Sequence, residues 1–104
     1  MKLPPRFEKL REKHGSFIAA VEELGRVVKN EGPLDEKTSL LIQLSAAATA
    51  RSEGSVHSHT RRAMQAGATY EEISHAIILL TSIIGFPQVA AAMSWVDDVI
   101  EGKY

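Results

Sequence analysis

The sequence contains no cysteine and few aromatic residues, and its charges nearly cancel. Without cysteine the chain cannot form a disulfide framework, a thiolate zinc site, a cysteine nucleophile or a dithiol redox pair. Its 12 Lys and Arg against 13 Asp and Glu give a formal charge of −1, so nucleic acid is not an expected partner. The sequence shows no recognisable secretory leader and no apolar run of membrane-spanning length. We therefore expect a cytoplasmic location and no membrane partner.

Length and composition predict a single domain over residues 1–104. With 44% hydrophobic residues in 104, the chain is too short for two domains and too apolar to be disordered. A chain of this size buries only a little more than ~60% of its unfolded surface, so its core is marginal unless something adds to it. Residues 1–14 are expected to form an N-terminal arm or a short helix.

Helical periodicity and helix-end signals predict an all-α fold. Asp35 and Ser52 are the expected N-caps of two helices, and Gly67 is expected to end the second of them in a left-handed conformation. Thr69 and Glu72 have the spacing of a capping box for the helix that follows. About six helices are expected, over residues 6–13, 15 to about 30, 35–50, 52–67, 69–84 and 87–100.

The segment from Ile73 to Phe86 is apolar around most of its circumference. A helix of this kind must be enclosed on most sides, and a domain this small has few layers with which to enclose it. We therefore expect one face in the core and the other in a subunit interface, which makes the protein an obligate oligomer. The alternative is a central helix fully wrapped within a monomer.

A helical wheel places His59 on the inward face of the fourth predicted helix, beside the small residues Ser55 and Ala63. An imidazole in a partly apolar pocket can titrate near neutrality, which suits general acid or base catalysis. The alternative is a structural histidine bonded to a backbone carbonyl. His57 is expected well away from that face, and histidines two residues apart on a helix cannot share a metal ion. No metal or other cofactor is expected.

Four further residues complete the candidate site. Arg51 and Arg62 flank His59 and can bind a carboxylate through paired hydrogen bonds, the alternative being solvated charges or ion pairs between subunits. His75 lies on the second face of the apolar segment, where it would line a pocket between subunits or only form a hydrogen bond at the interface. The hypothesis is His59 as the catalytic residue, with Arg51, Ser55, Arg62 and His75 as substrate-binding residues.

Between about residue 15 and residue 100 the chain resembles the carboxymuconolactone decarboxylase family, which includes the alkyl hydroperoxidase D-like proteins. The resemblance implies an alkyl hydroperoxidase D-like helical fold that assembles with itself as a homotrimer or homohexamer. It rests on Leu34-Asp35-Glu36-Lys37-Thr38, on His59, on Ala66-Gly67-Ala68-Thr69 with Glu71-Glu72-Ile73, and on Gly85-Phe86-Pro87.

The peroxidase branch of that family has two cysteines three residues apart, a histidine four residues after them and a glutamate twelve residues before them. Here Ser52 and Ser55 stand at the cysteine positions, Leu40 stands at the glutamate position, and His59 alone matches. Serine forms neither the sulfenate nor the disulfide that peroxidase chemistry needs. Thiol peroxidase activity is therefore excluded.

The decarboxylase branch needs no cysteine, and this sequence resembles it better. That resemblance implies a lyase that removes carbon dioxide from a small carboxylate or lactone, with His59 as general acid or base and Arg51 or Arg62 holding a carboxylate. The alternative is a non-catalytic oligomeric relative that binds a ligand or a partner.

Overall fold

The computed structural model describes residues 5–103, and all regular secondary structure in that range is helical, as predicted. Its helices are α1 (Pro5–Lys13), α2 (Gly15–Lys29), α3 (Glu36–Thr49), α4 (Glu53–Gln65), α5 (Tyr70–Ile78), α6 (Thr81–Ile84) and α7 (Phe86–Ile100). No helix of the described residues is long and apolar enough to cross a membrane.

The chain divides into two compact units, with the boundary after Leu34. In the first unit α1 packs on α2, and an ion pair of 2.6 Å between Arg11 and Glu22 joins the two helices. The guanidinium of Arg11 also lies 5.3 Å from the centre of the Phe7 ring. Residues 5–13 thus form a short helix, while residues 1–4 of the expected arm or short helix lie outside the described residues. The single domain over residues 1–104 stays a prediction.

The second unit holds the core on which α3, α4, α5 and α7 converge. Burial of each large side chain in such a core contributes roughly 1.5–3 kcal/mol relative to leaving it in water. The largest fully buried side chains are Leu40, Leu44, Val56, Thr60, Ile73, Ile77 and Val96.

All three predicted N-cap residues occupy that position, and two of them make the side-chain bond of a cap. Asp35 accepts a hydrogen bond of 2.7 Å from the Thr38 N–H, and Thr69 and Glu72 form both bonds of the capping box, at 3.0 and 2.9 Å. Ser52 stands at the predicted N-cap of α4, but its side chain makes no cap bond. The ψ angle of Ser52 is 93°, whereas those of Asp35 and Thr69 are 169° and 161°. The side chains of Asp35 and Thr69 point at the first turn of their helices, where they accept their cap bonds.

Helix α4 ends as predicted, with Gly67 in the left-handed region at φ 93°. The N–H of Gly67 donates to the Met64 carbonyl at 3.0 Å, and the N–H of Ala68 donates to the Ala63 carbonyl at 2.9 Å. This pair of bonds is a Schellman motif, which satisfies carbonyls that the helix end would otherwise leave without partners.

The helix predicted over residues 69–84 is interrupted instead of continuous, so α5 and α6 replace it. The N–H of Leu80 donates to the carbonyl of Ile77, three residues back, and the N–H of Ile83 donates to that of Leu80. Three-residue spacing tightens the backbone relative to an α-helix. The apolar pattern did not reveal this change, because it depends on backbone bonding and not on side-chain type.

Adjacent isoleucines of α5 have opposite environments. Ile77 is fully buried, whereas Ile78 is 54% exposed and Ile83 of α6 is 76% exposed. One face of the apolar segment therefore lies in the core, as predicted, and the alternative of a fully wrapped helix is excluded for the single chain.

Candidate functional site

His59 is held by the backbone of its own helix. Its Nδ1 lies 2.8 Å from the carbonyl oxygen of Ser55, one turn earlier on α4, and its side chain is half-buried. Because a carbonyl oxygen only accepts, Nδ1 carries the proton in this arrangement, and in the neutral ring Nε2 is the basic nitrogen. The same contact suits a structural histidine and a positioned general base.

His57 lies deeper in the protein than His59, which the helical wheel did not indicate. It is 5% exposed, because α4 packs against α3 and also against α7, which together cover more than one face of the helix. Burial lowers the pKa of His57. The charge of Glu53 raises this pKa, and the charge of Arg61 lowers it. The Nε2 of His57 lies 3.7 Å from a carboxylate oxygen of Glu53.

Sequence reasoning selected Arg62 and passed over its neighbour Arg61. Arg62 is exposed, whereas Arg61 is 6% exposed. Burial lowers the pKa of Arg61, and the charge of Arg62 lowers it further. The available signal was the four-residue spacing from His57, which puts both side chains on one face of α4.

One cavity, the α3–α5 cavity, lies between helices α3 and α5 and has a volume of about 500 Å³. His75 is one of its polar lining residues. Glu72 also lines it and forms an ion pair of 2.9 Å with Lys37. The remaining lining residues are Thr38, Leu41, Ile42, Ser45, Ala76, Leu79 and Leu80.

A second cavity, the Arg51 cavity, lies between the C-terminal end of α3 and helix α7 and has a volume of about 330 Å³. In the amide orientation that turns its oxygen toward Arg51, Gln88 accepts hydrogen bonds from Nε at 3.2 Å and Nη2 at 2.7 Å. The lining residues are Ala48, Arg51, Pro87, Gln88, Ala91 and Trp95.

Arg51 has an unusual backbone for an arginine. It follows the C-cap of α3 with φ 56°, in the left-handed region. Its N–H donates to the Ala48 carbonyl at 3.1 Å, and the N–H of Ser52 donates to the Ala47 carbonyl at 3.0 Å. This is the bonding of a second Schellman motif, in a position that glycine usually occupies because it has no Cβ.

The structure places the predicted site residues in several locations. Ser55 and His59 are in contact, Arg51 and His75 line different cavities, and Arg62 is exposed on α4. Neither cavity is lined by His59. The roles assigned to these residues stay predictions.

Gln88 and Trp95 were not selected from the sequence. They are seven residues apart on α7, so they share a face of the helix with Ala91 between them. The seven-residue spacing could therefore have shown that they share a face of α7. Whether that face lines a cavity depends on the position of α3.

The family model for carboxymuconolactone decarboxylases matches residues 16–98. The chain belongs to the carboxymuconolactone decarboxylase family. An uncharacterized protein of Methanocaldococcus jannaschii is 32% identical over 83 residues, which are 80% of this chain and 78% of that protein. The resemblance drawn from the sequence is thereby confirmed.

A solved structure shows the same fold. The apo crystal structure of a carboxymuconolactone decarboxylase family protein from Legionella pneumophila matches with a TM-score of 0.80 and 21% identity. The match covers 95% of this chain and 88% of that one. This carboxymuconolactone decarboxylase family protein therefore has the expected all-α fold, and it has no cysteine with which to carry out thiol peroxidase chemistry.

Proposed function

We propose that this carboxymuconolactone decarboxylase family protein acts on a small carboxylate or lactone, with His59 as general acid or base. The observation that carries the proposal is the bond of 2.8 Å between His59 Nδ1 and the Ser55 carbonyl. This bond holds one tautomer and one ring orientation, so the basic Nε2 is positioned before substrate arrives.

In the proposed decarboxylation, the bond between the carboxylate carbon and the neighbouring carbon breaks and carbon dioxide leaves. The electron pair is delocalised onto the lactone as an enolate. His59, protonated on Nε2, then delivers that proton to carbon and returns to the neutral form with Nδ1–H still bonded to Ser55. The charge balances, because the proton neutralises the anion that the departure of carbon dioxide creates.

The proposed anchor for an anionic group of the substrate is Arg51 or Arg62. An arginine that held the departing carboxylate would stabilise the ground state and slow the reaction. The anchored group is therefore one that the product keeps. Ser55 and His75 are proposed to contact the rest of the substrate.

We propose that the pocket around His59 is completed by further copies of the chain, in a homotrimer or homohexamer. The support for assembly is that four large apolar residues close together in the sequence, Ile78, Leu79, Ile83 and Phe86, are all exposed on the single chain. Large contiguous apolar patches are uncommon on monomers and are typical of interfaces. A cytoplasmic location stays a prediction.

Turnover of carboxymuconolactone by the wild type and by His59→Gln tests the chemistry. We expect the variant to lose at least about 100-fold in rate, the usual contribution of a positioned acid or base. His14→Gln, which alters an exposed histidine of the first unit, is the matched control and should keep the wild-type rate. Equal rates for His59→Gln and the wild type would remove His59 from the mechanism.

A second candidate function is ligand binding without catalysis. The α3–α5 cavity favours it, since its volume of about 500 Å³ falls within the range of small-molecule sites and its lining is mostly apolar. A wild type without turnover that binds an apolar dye saturably, and loses the dye in the cavity-filling variant Ala76→Phe, would favour this function over the enzyme.

A further inference from the structure

We propose that the Arg51 cavity binds a small organic carboxylate whose apolar body packs against Trp95. The role of this site in the reaction rests on the proposed function. There the substrate anchor was Arg51 or Arg62, and here we assign it to Arg51. Binding itself does not require His59 to be catalytic.

The charge of the cavity is the first argument. Among the described residues that line it, Arg51 is the only charged one and none is acidic. Within the part of the chain that the structure describes, no carboxylate forms an ion pair with Arg51. A guanidinium that faces a cavity without a countercharge is complementary to an anion.

The geometry of the guanidinium is the second argument. Its Nε and Nη2 both donate to the Gln88 amide oxygen, and they form the edge that binds a carboxylate through two parallel bonds. Gln88 thus holds the group in place with a neutral acceptor. A carboxylate forms hydrogen bonds roughly twice as strong as a neutral acceptor does, so it can replace the amide or take the N–H groups left over.

The apolar walls of the cavity determine the kind of anion. Trp95, Ala48, Ala91 and Pro87 surround the guanidinium, and an inorganic anion would leave these surfaces uncovered. The volume of about 330 Å³ lies at the small end of the range for ligand sites. A carboxylate on a single ring or a short chain therefore fits this site best.

The backbone of Arg51 supports the same assignment. Two other helices end in the same motif, at Gly67 and Gly102, and both positions are glycine with positive φ. Arginine at the third position is strained, and strain of this kind is often found at functional sites. The competing explanation is a cation that stabilises the negative C-terminal end of α3, and ligand binding separates the two explanations.

Trp95 is the only tryptophan in the sequence, so its fluorescence reports on this cavity alone. Benzoate is the probe, with benzyl alcohol as the uncharged control and inorganic phosphate as the anion without an apolar body. We expect a saturable fluorescence change with benzoate and binding at least about tenfold weaker for each control. Equal binding of benzyl alcohol or of phosphate would overturn the proposal, as would no saturable response to benzoate.

Variants test the anchor itself. Arg51→Gln should weaken benzoate binding by about tenfold or more. Gln88→Glu keeps the size of the side chain and places an internal carboxylate against the guanidinium, so it should abolish binding while circular dichroism shows an intact fold. Arg26→Gln, which alters an exposed arginine of α2, is the matched control and should bind as the wild type does. Unchanged binding in Arg51→Gln or in Gln88→Glu would contradict the proposal.

His59→Gln separates this inference from the proposed function. If both hold, this variant binds benzoate normally and loses at least about 100-fold in turnover rate. If benzoate binding depends on Arg51 but the wild type shows no turnover, the proposed function is overturned and the assignment of Arg51 stands. Turnover without Arg51-dependent binding overturns the assignment of Arg51.

Discussion

Arg51 and Gly67 hold the same position in equivalent Schellman motifs, each as the first residue beyond a C-cap. Their φ angles are 56° and 93°, and each donates its N–H to the carbonyl three residues earlier in the chain. Glycine adopts this conformation without steric cost, whereas the Cβ of arginine crowds the backbone. The end of α3 therefore contains strain that the end of α4 avoids.

We expect Arg51→Gly to stabilise the protein. It removes a left-handed strain of roughly 1–2 kcal/mol and loses part of that gain to the greater freedom of glycine in the unfolded chain. The expected net gain in the free energy of unfolding is about 0.5–1 kcal/mol, measured by urea denaturation.

Gly67→Ala is the matched control and should destabilise the protein by about 1 kcal/mol. A Cβ at Gly67 would meet no atom within 4 Å, so the loss reports the backbone conformation alone. Destabilisation by Arg51→Gly would show that side-chain contacts of Arg51 outweigh its strain.

Ile77 and Ile78 form a second matched pair. Ile77 is fully buried, and truncating such a residue to alanine costs about 2–5 kcal/mol. We expect Ile77→Ala to lower the free energy of unfolding by that amount at a fixed protein concentration.

Ile78→Ser changes a residue that the single chain leaves exposed. We expect the helical content to remain and the protein to sediment as a smaller species than the wild type, because a serine weakens an apolar interface. Sedimentation of the wild type as a monomer would refute the proposed assembly.

Stability should depend on pH through His57. Burial lowers its pKa from the ordinary value of 6.5, so the unfolded chain binds this proton more readily than the folded protein does. The stability due to neutral His57 is complete above pH 6.5 and is lost as the pH falls through the lowered pKa.

The measurement is the urea midpoint at about pH 7.5 and about pH 5.5. The wild type should lose more stability on acidification than His57→Gln, while His14→Gln should behave as the wild type does. The same loss in wild type and His57→Gln would assign the pH dependence to other groups.

The capping box of α5 gives a further test. Thr69→Ala removes the acceptor for the Glu72 N–H, and loss of such a cap costs about 0.5–2 kcal/mol. Thr49→Ala is the control, because its hydroxyl bonds only a carbonyl within α3 and its loss should cost less than about 0.5 kcal/mol. Similar losses would show that the Thr69 cap contributes little.

Local signals predicted most helix ends correctly. Asp35, Gly67, Thr69 and Glu72 act through atoms a few residues away, so their bonds depend little on the rest of the fold. Ser52 occupies the predicted N-cap position of α4 without making a side-chain bond, so residue type and spacing predicted the helix start but not the bond.

The candidate site was less predictable. A wheel for one helix gives the relative directions of His57 and His59 but not how many sides its neighbours cover, so it did not indicate the burial of His57 and Arg61. Gln88 and Trp95 were not predicted as site residues, because the cavity that they line exists only where α7 packs against the end of α3.

The sequence by itself determined the helical class, the family and the absence of thiol chemistry, because periodicity, motif spacing and residue type are properties of the chain. Tertiary structure alone decided which charges are buried, where Arg51 points and which cavities exist. Those features arise from the packing of helices distant in sequence, and packing geometry is not encoded in the residues of any one helix.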